Sequence, residues 1–200
     1  MKITAIAILA LYAITSEAIA TVIVNSGFEG TELTPWYVDR EFGSNRGWDV
    51  SSSAPHSGTQ HASNLGRIEL RQDFPAILGS QIQEFSFFAS HQFPDRGNPW
   101  IEVFYTDGSS SGAQDISLDP SRSWQSSGLD WQWDKFNLLG FVDPARSVSG
   151  VSVVGIPNNV LFIDTFSLVP VPEPSSIMLL SLGGALTFAY RTRSRTRRRS

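Results

Sequence analysis

The stretch Trp100-Ile-Glu-Val-Phe-Tyr-Thr-Asp-Gly-Ser-Ser-Ser-Gly-Ala-Gln-Asp-Ile-Ser-Leu118 decides the fold. Ile101, Val103 and Tyr105 alternate with Glu102, Phe104 and Thr106, and a period of two puts the first set on one face of a strand. Asp107-Gly108 follows at once, a pair suited to the positive φ angles of a tight hairpin turn. The stretch therefore reads as a β-hairpin with a Ser-rich loop, its return strand over 113–118.

Working outward, similar short runs rich in β-branched and aromatic residues recur at 21–24, 67–74, 81–89, 131–139, 148–156 and 160–169, each bounded by Gly, Pro, Asn, Asp or Ser. That spacing predicts an all-β chain, a single antiparallel sandwich of jelly-roll type. No stretch of the body shows a sustained helical period with caps. Within 131–139 the apolar set changes phase, from Trp131 and Trp133 to Phe136 and Leu138, which predicts a bulge. There is no fixed-period repeat.

Both termini have a different character. Met1-Lys2, the apolar run over 3–14 and Ala18-Ile19-Ala20 have the n-region, h-region and small-residue site of a signal peptide over 1–20, cut by signal peptidase between Ala20 and Thr21. At the other end Val171-Pro172-Glu173-Pro174-Ser175-Ser176 precedes an uncharged run over 177–190. As a helix that run spans roughly 21 Å, short of a ~30 Å hydrocarbon core, and so anchors a chain weakly in a membrane. Six arginines in the tail over 191–200 hold that end on the cytoplasmic side, which leaves the body outside. Pro172 and Pro174 keep Glu173 on an extended, exposed segment that an enzyme could read.

These three tail parts resemble the PEP-CTERM sorting signal of exported Gram-negative bacterial proteins. The resemblance implies recognition by an exosortase at Val171, Pro172, Glu173 and Pro174, then release or transfer of the body to the cell surface or an exopolysaccharide matrix. The body is then the β-sandwich domain over 21–170, with the sorting motif over 171–176. It is long enough for one well-filled core.

Its charge narrows the function. Setting aside Lys2 and the six tail arginines leaves 8 basic residues, and setting aside Glu17 and Glu173 leaves 17 acidic ones, a balance near −9. Such a surface excludes nucleic acid as a partner, since that needs a basic footprint. The absence of Cys excludes disulfides and thiolate chemistry.

Asn25-Ser-Gly-Phe-Glu29, Pro55-His-Ser-Gly58 and Phe162-Ile-Asp-Thr-Phe-Ser-Leu168, in that order, resemble the galactose-binding-like jelly rolls that include many carbohydrate-binding modules. The resemblance implies a first and last strand lying close together, and a structural calcium held by Glu29 and Asp164. The residues themselves leave two arrangements open. If Phe162, Asp164 and Phe166 share the core face, a bare carboxylate there is costly unless paired or metal-bound; if Leu161 and Ile163 face the core, Asp164 faces water.

Other constellations are sparse. His56, His61 and His91 match no zinc spacing and read as surface or loop residues. Asp130 and Asp134 are the kind of acid pair that glycoside hydrolysis uses, in a chain where acids are common. Ser51–Ser53 and Ser109–Ser111 have loop composition, and no Gly-x-Ser-x-Gly elbow exists. Trp124, Trp131 and Trp133 form either a platform for sugar rings or ordinary sandwich core. The sequence thus predicts an exported, surface-sorted, non-catalytic sandwich that binds extracellular polysaccharide. The rival readings are an exported glycan hydrolase and a purely structural matrix protein or adhesin.

Overall fold

The computed structural model describes residues 22–41, 47–93, 97–123 and 132–171. The expected signal peptide with its Ala20–Thr21 cut, the sorting motif from Pro172 onward, the apolar run over 177–190, the basic tail, Trp124, Asp130 and Trp131 all lie outside the described residues. The chain divides into two compact units, Met1–Pro170 and Val171–Ser200. No helix among the described residues is long and apolar enough to cross a membrane.

The described part of the first unit is an antiparallel β-sandwich. One sheet contains β1 (Tyr37–Glu41), β4 (Ile68–Leu78), β6 (Trp100–Tyr105), β7 (Gln114–Asp115) and β9 (Ser147–Val154), in the order β1-β4-β9-β6-β7. The other contains β2 (Trp48–Ser51), β3 (His61–Leu65), β5 (Ile82–His91), β8 (Asp134–Asn137) and β10 (Val160–Pro170), in the order β2-β3-β10-β5-β8. The helical turns among the described residues are short 3-10 segments at Gly79–Gln81, Pro120–Arg122 and Leu139–Phe141.

The hairpin at the centre of the sequence forms as its alternation requires. Ile101, Val103 and Tyr105 are buried in the core, and Trp100 and Ile101 pair with Asp115 and Gln114. Gly108 takes φ +81 and its N–H donates to the Tyr105 carbonyl at 3.0 Å, a conformation that strains residues with a Cβ. The return strand is shorter than 113–118: Ile116 N–H still donates to the Pro99 carbonyl at 3.0 Å, but Pro99 has no N–H to continue the ladder, and Ile116 and Leu118 enter the core.

Three expectations need correction. The described part of the run over 21–24, residues 22–24, is no strand: residues 24–27 form a turn, with Asn25 and Phe28 at positive φ and Phe28 N–H donating to the Asn25 carbonyl at 3.2 Å. That segment nevertheless lies against the last strand, where Phe166 N–H donates to the Ser26 carbonyl at 2.9 Å. The bulge expected within 131–139 is absent from β8, whose ladder with β5 runs from Asp134↔Ala89 to Asn137↔Ser86 without a shift. Ordinary alternation explains the phase change, since positions 133 and 136 fall on opposite faces of one strand.

The bulge lies instead in β10, between Asp164 and Ser167, where Thr165 takes φ +49. It reverses which face each residue addresses. Leu161, Ile163, Phe166 and Leu168 all enter the core, so Phe162 and Phe166 do not share a face. The strands β1, β2 and β3 have no counterpart among the expected runs; they are short and largely polar, and hold their places through long-range pairing.

Candidate glycan-binding face and carboxylate cluster

The outer face of the second sheet carries an aromatic cluster. Because Ala62 in β3, Ala89 in β5 and Ile163 in β10 point into the core, their neighbours His61, Phe88, Ser90 and Phe162 take the opposite face. Trp133, just before β8, joins them. The His61 ring meets Phe162 at 5.4 Å and Trp133 at 5.7 Å, both edge-on. His56, in the loop before β3, stacks on Phe88 at 3.5 Å with 18° between the planes and touches Trp133 edge-on at 6.0 Å. Trp133, Phe88 and His56 are half-buried, whereas His61 and Phe162 are buried behind them.

The rings of this face carry no charge near pH 7, although the Asp164 carboxylate acts on His56 from the same side of the sheet. Burial pushes the His61 imidazole down to about 4, so it carries no charge near pH 7. Burial also lowers His56, against the opposing pull of the Asp164 carboxylate. The charges at the rim cancel: Lys135 pairs with Glu84 at 3.0 Å and sits 6.0 Å from the centre of the Phe88 ring.

The histidines correct the sequence reading, because His61 and His91 are buried and only His56 is a loop residue. His91 lies in β5 on the core side, opposite Leu161. Trp133 is the member of the Trp124, Trp131 and Trp133 group that the described residues include. Asp134 is engaged structurally: its carboxylate pairs with Arg122 and accepts a hydrogen bond from Asp119 N–H at 3.4 Å.

Glu29 and Asp164 form the second feature. Asp164 is fully buried, and its Oδ2 accepts from Ser57 N–H at 3.0 Å while Oδ1 accepts from Thr165 N–H at 2.6 Å. Glu29 accepts from Thr59 N–H at 3.1 and 3.0 Å and from the Thr59 hydroxyl at 2.7 Å. Both carboxylates flank Gly27, with one oxygen of each 3.7 Å from where its Cβ would stand. Gly58, at φ +61, lies against Glu29, where a Cβ would come within 1.9 Å of Oε1, so the loop closes over that carboxylate only because this residue is glycine.

The two acids titrate in opposite directions. Burial raises the Asp164 carboxyl above its usual range against hydrogen bonds that lower it, and the Thr59 hydrogen bonds lower Glu29. Asp164 has no ion pair among the described residues. The hydroxyls of Ser57, Thr59 and Thr165 complete an oxygen-rich surround, which suits a hard cation such as calcium. No group of three or more His, Asp or Glu gathers in metal-binding proximity among the described residues, so a cation here would need hydroxyl, carbonyl or water ligands as well.

The chain's last described residues, Pro170 and Val171, open the Pro-Glu-Pro segment. Residues 170–195 match the PEP-CTERM protein-sorting motif. The PEP-CTERM motif is a C-terminal sorting signal of exported proteins and implies processing by an exosortase. Among solved structures, the sandwich is similar to TmCBM61, determined in complex with beta-1,4-galactotriose: 22% identity, TM-score 0.48, 76% of this chain and 99% of that one. It is also similar to the enzymatically active domain of bacteriophage CBA120 tailspike protein 4, at 7% identity and TM-score 0.55, over 76% of this chain and 21% of that one. A third is the CBM22-1 xylan-binding domain of Xyn10C from Paenibacillus barcinonensis, at 12% identity and TM-score 0.42, over 74% of this chain and 93% of that one. No curated protein matches the chain. The structural neighbours of this chain, which carries the PEP-CTERM motif at its C-terminal end, thus include carbohydrate-binding-module β-sandwiches.

Proposed function

We propose that the body is a non-catalytic polysaccharide-binding module that PEP-CTERM sorting delivers to the cell surface or extracellular matrix of a Gram-negative bacterium. Signal peptidase removes the leader, the apolar run over 177–190 holds the chain briefly in the membrane, and an exosortase acts at the Pro-Glu-Pro segment. The observation that carries the reading is the neutral aromatic face of Trp133, Phe88 and His56. Flat, half-buried rings offer apolar area for a sugar ring at little conformational cost, because packing already fixes them. The acidic balance near −9 favours neutral glycans over strongly anionic ones, since like charges repel at low salt.

Affinity electrophoresis of the chain in gels containing neutral or acidic polysaccharides tests this. Trp133→Ala should weaken retention by about fivefold or more, the range of an aromatic anchor worth over 1 kcal/mol, while circular dichroism stays unchanged. Equal retention of the variant and the parent would remove the face from the account.

Calcium belongs to the same proposal as a structural ion. Glu29 and Asp164 would hold it, joining the turn over 24–27 and the loop over 55–59 to β10. A ligand that binds only the folded state at a hundred times its Kd stabilises by about 2.7 kcal/mol, or roughly 5–10 °C for a domain of this size. Melting in calcium and in chelator should differ by that much; identical curves would exclude the ion.

A further inference from the structure

A concavity lies away from the aromatic face and shares no residue with it. Tyr105, Ser110, Gln114, Phe141, Asp143 and Arg146 are among its lining, and they outline a depression open to solvent of about 430 Å³, within the ~300–1,000 Å³ of small-molecule sites. We propose that this cavity, between the β6–β7 hairpin loop and the segment over 139–146, is a second binding site, for a single neutral sugar residue. The proposal shares its ligand class with the polysaccharide-binding reading and places it at an independent site.

The frame is fixed before any ligand arrives. The Tyr105 hydroxyl donates to the Phe141 carbonyl at 3.2 Å and accepts from Asp143 N–H at 2.9 Å, tying the two walls together. Arg146 stacks its guanidinium over the Tyr105 ring at 3.8 Å and donates from Nη2 to both Asp107 oxygens at 2.7 and 2.8 Å. Gln114 donates from Nε2 to the Ser111 carbonyl at 3.2 Å, which orients its amide. Preorganised polar groups give up little entropy on binding.

The free valences then set the ligand. Gln114 Oε1 and one Asp143 oxygen make no hydrogen bond among the described residues and accept; Arg146 Nη1 and Nε likewise make none and donate. Acceptors and donors side by side match hydroxyl groups, each of which can both donate and accept. The charges oppose an anion, because Asp107 already pairs with Arg146 and Asp143 adds a further negative charge. Phe141 supplies apolar area to the wall.

Two sites on different faces would let one chain bridge two polysaccharide strands. The test is saturation-transfer difference NMR on the full chain in detergent, with galactose, glucose, mannose and xylose offered singly. The parent and three variants, Gln114→Ala, Trp133→Ala and the double variant, are compared after their melting temperatures are shown to agree. We expect at least one sugar to keep its signal in Trp133→Ala, to bind several-fold more weakly in Gln114→Ala and to lose all signal in the double variant. Full loss of signal in Trp133→Ala alone would overturn the second site and leave the aromatic face standing. Signal that survives Trp133→Ala undiminished but falls in Gln114→Ala would support the cavity and overturn the face for that sugar. No signal from any sugar in the parent, or displacement of bound sugar by methylammonium, would overturn the assignment of the cavity to a neutral sugar.

Discussion

Phe166→Ala should destabilise the sandwich by about 3–5 kcal/mol, the usual cost of emptying a large aromatic site in a core. The Phe166 ring lies 4.8 Å from that of Trp36 and stacks at 4.8 Å and 9° on that of Phe87, joining the N-terminal segment to the second sheet. It is 1% exposed; Phe87 is held by the pairing of β5 and Trp36 by its indole N–H bond to the Asn25 carbonyl at 3.3 Å, which limits how far the space left behind can close. For a domain of this size the loss corresponds to a fall in melting temperature of roughly 10–15 °C. Phe162→Ala, four positions earlier on the outer face, should cost less. Calorimetry on both variants decides the point: similar small shifts would mean that the β10 bulge does not turn Phe166 into the core.

The second large effect lies on the outer face of the first sheet. The Glu69 side chain is fully buried, and Arg40 grips it from both its Nε and its Nη2, the latter at 2.9 Å, while also reaching Glu102 at 2.7 Å. Removing one partner of a buried ion pair leaves an uncompensated charge, which costs several kcal/mol. Arg40 is 47% exposed, so solvent softens the penalty. Arg40→Met should therefore destabilise by about 2–3 kcal/mol, with a midpoint shift in urea to match. Arg40→Lys should restore part of this, since lysine keeps the charge but loses the two-pronged grip. Adding Glu69→Gln to Arg40→Met should also recover stability, because the stranded charge is gone. If Arg40→Met unfolds at the parent's urea concentration, the pair contributes nothing.

Of the candidate residues, Trp133, Glu29 and Asp164 could be named from residue type and order along the chain, but not their surroundings. His61 could not, because it meets Trp133 across 72 positions and nothing near it in the sequence signals that contact. His56, Phe88 and Phe162 were missed for the same reason: each belongs to a different strand or loop, and the pairing of β3, β10, β5 and β8 gathers them.

The sequence by itself determined what depends on neighbouring residues. Alternation of Ile101, Val103 and Tyr105, followed by Asp107-Gly108, makes a hairpin, since both period and turn geometry are local properties. The Pro-Glu-Pro segment, the apolar run and the arginines are likewise read in order along the chain, and the PEP-CTERM match covers them. Only the tertiary structure decided which face each residue addresses. One residue at φ +49, Thr165, reverses the phase of β10 and sends Phe166 inward while Phe162 and Asp164 stay on the outer face. The cause is that a strand's faces exchange with every single-residue shift, so a bulge, and the polar strands β1, β2 and β3 that only distant partners hold in place, leave no periodic trace in the sequence.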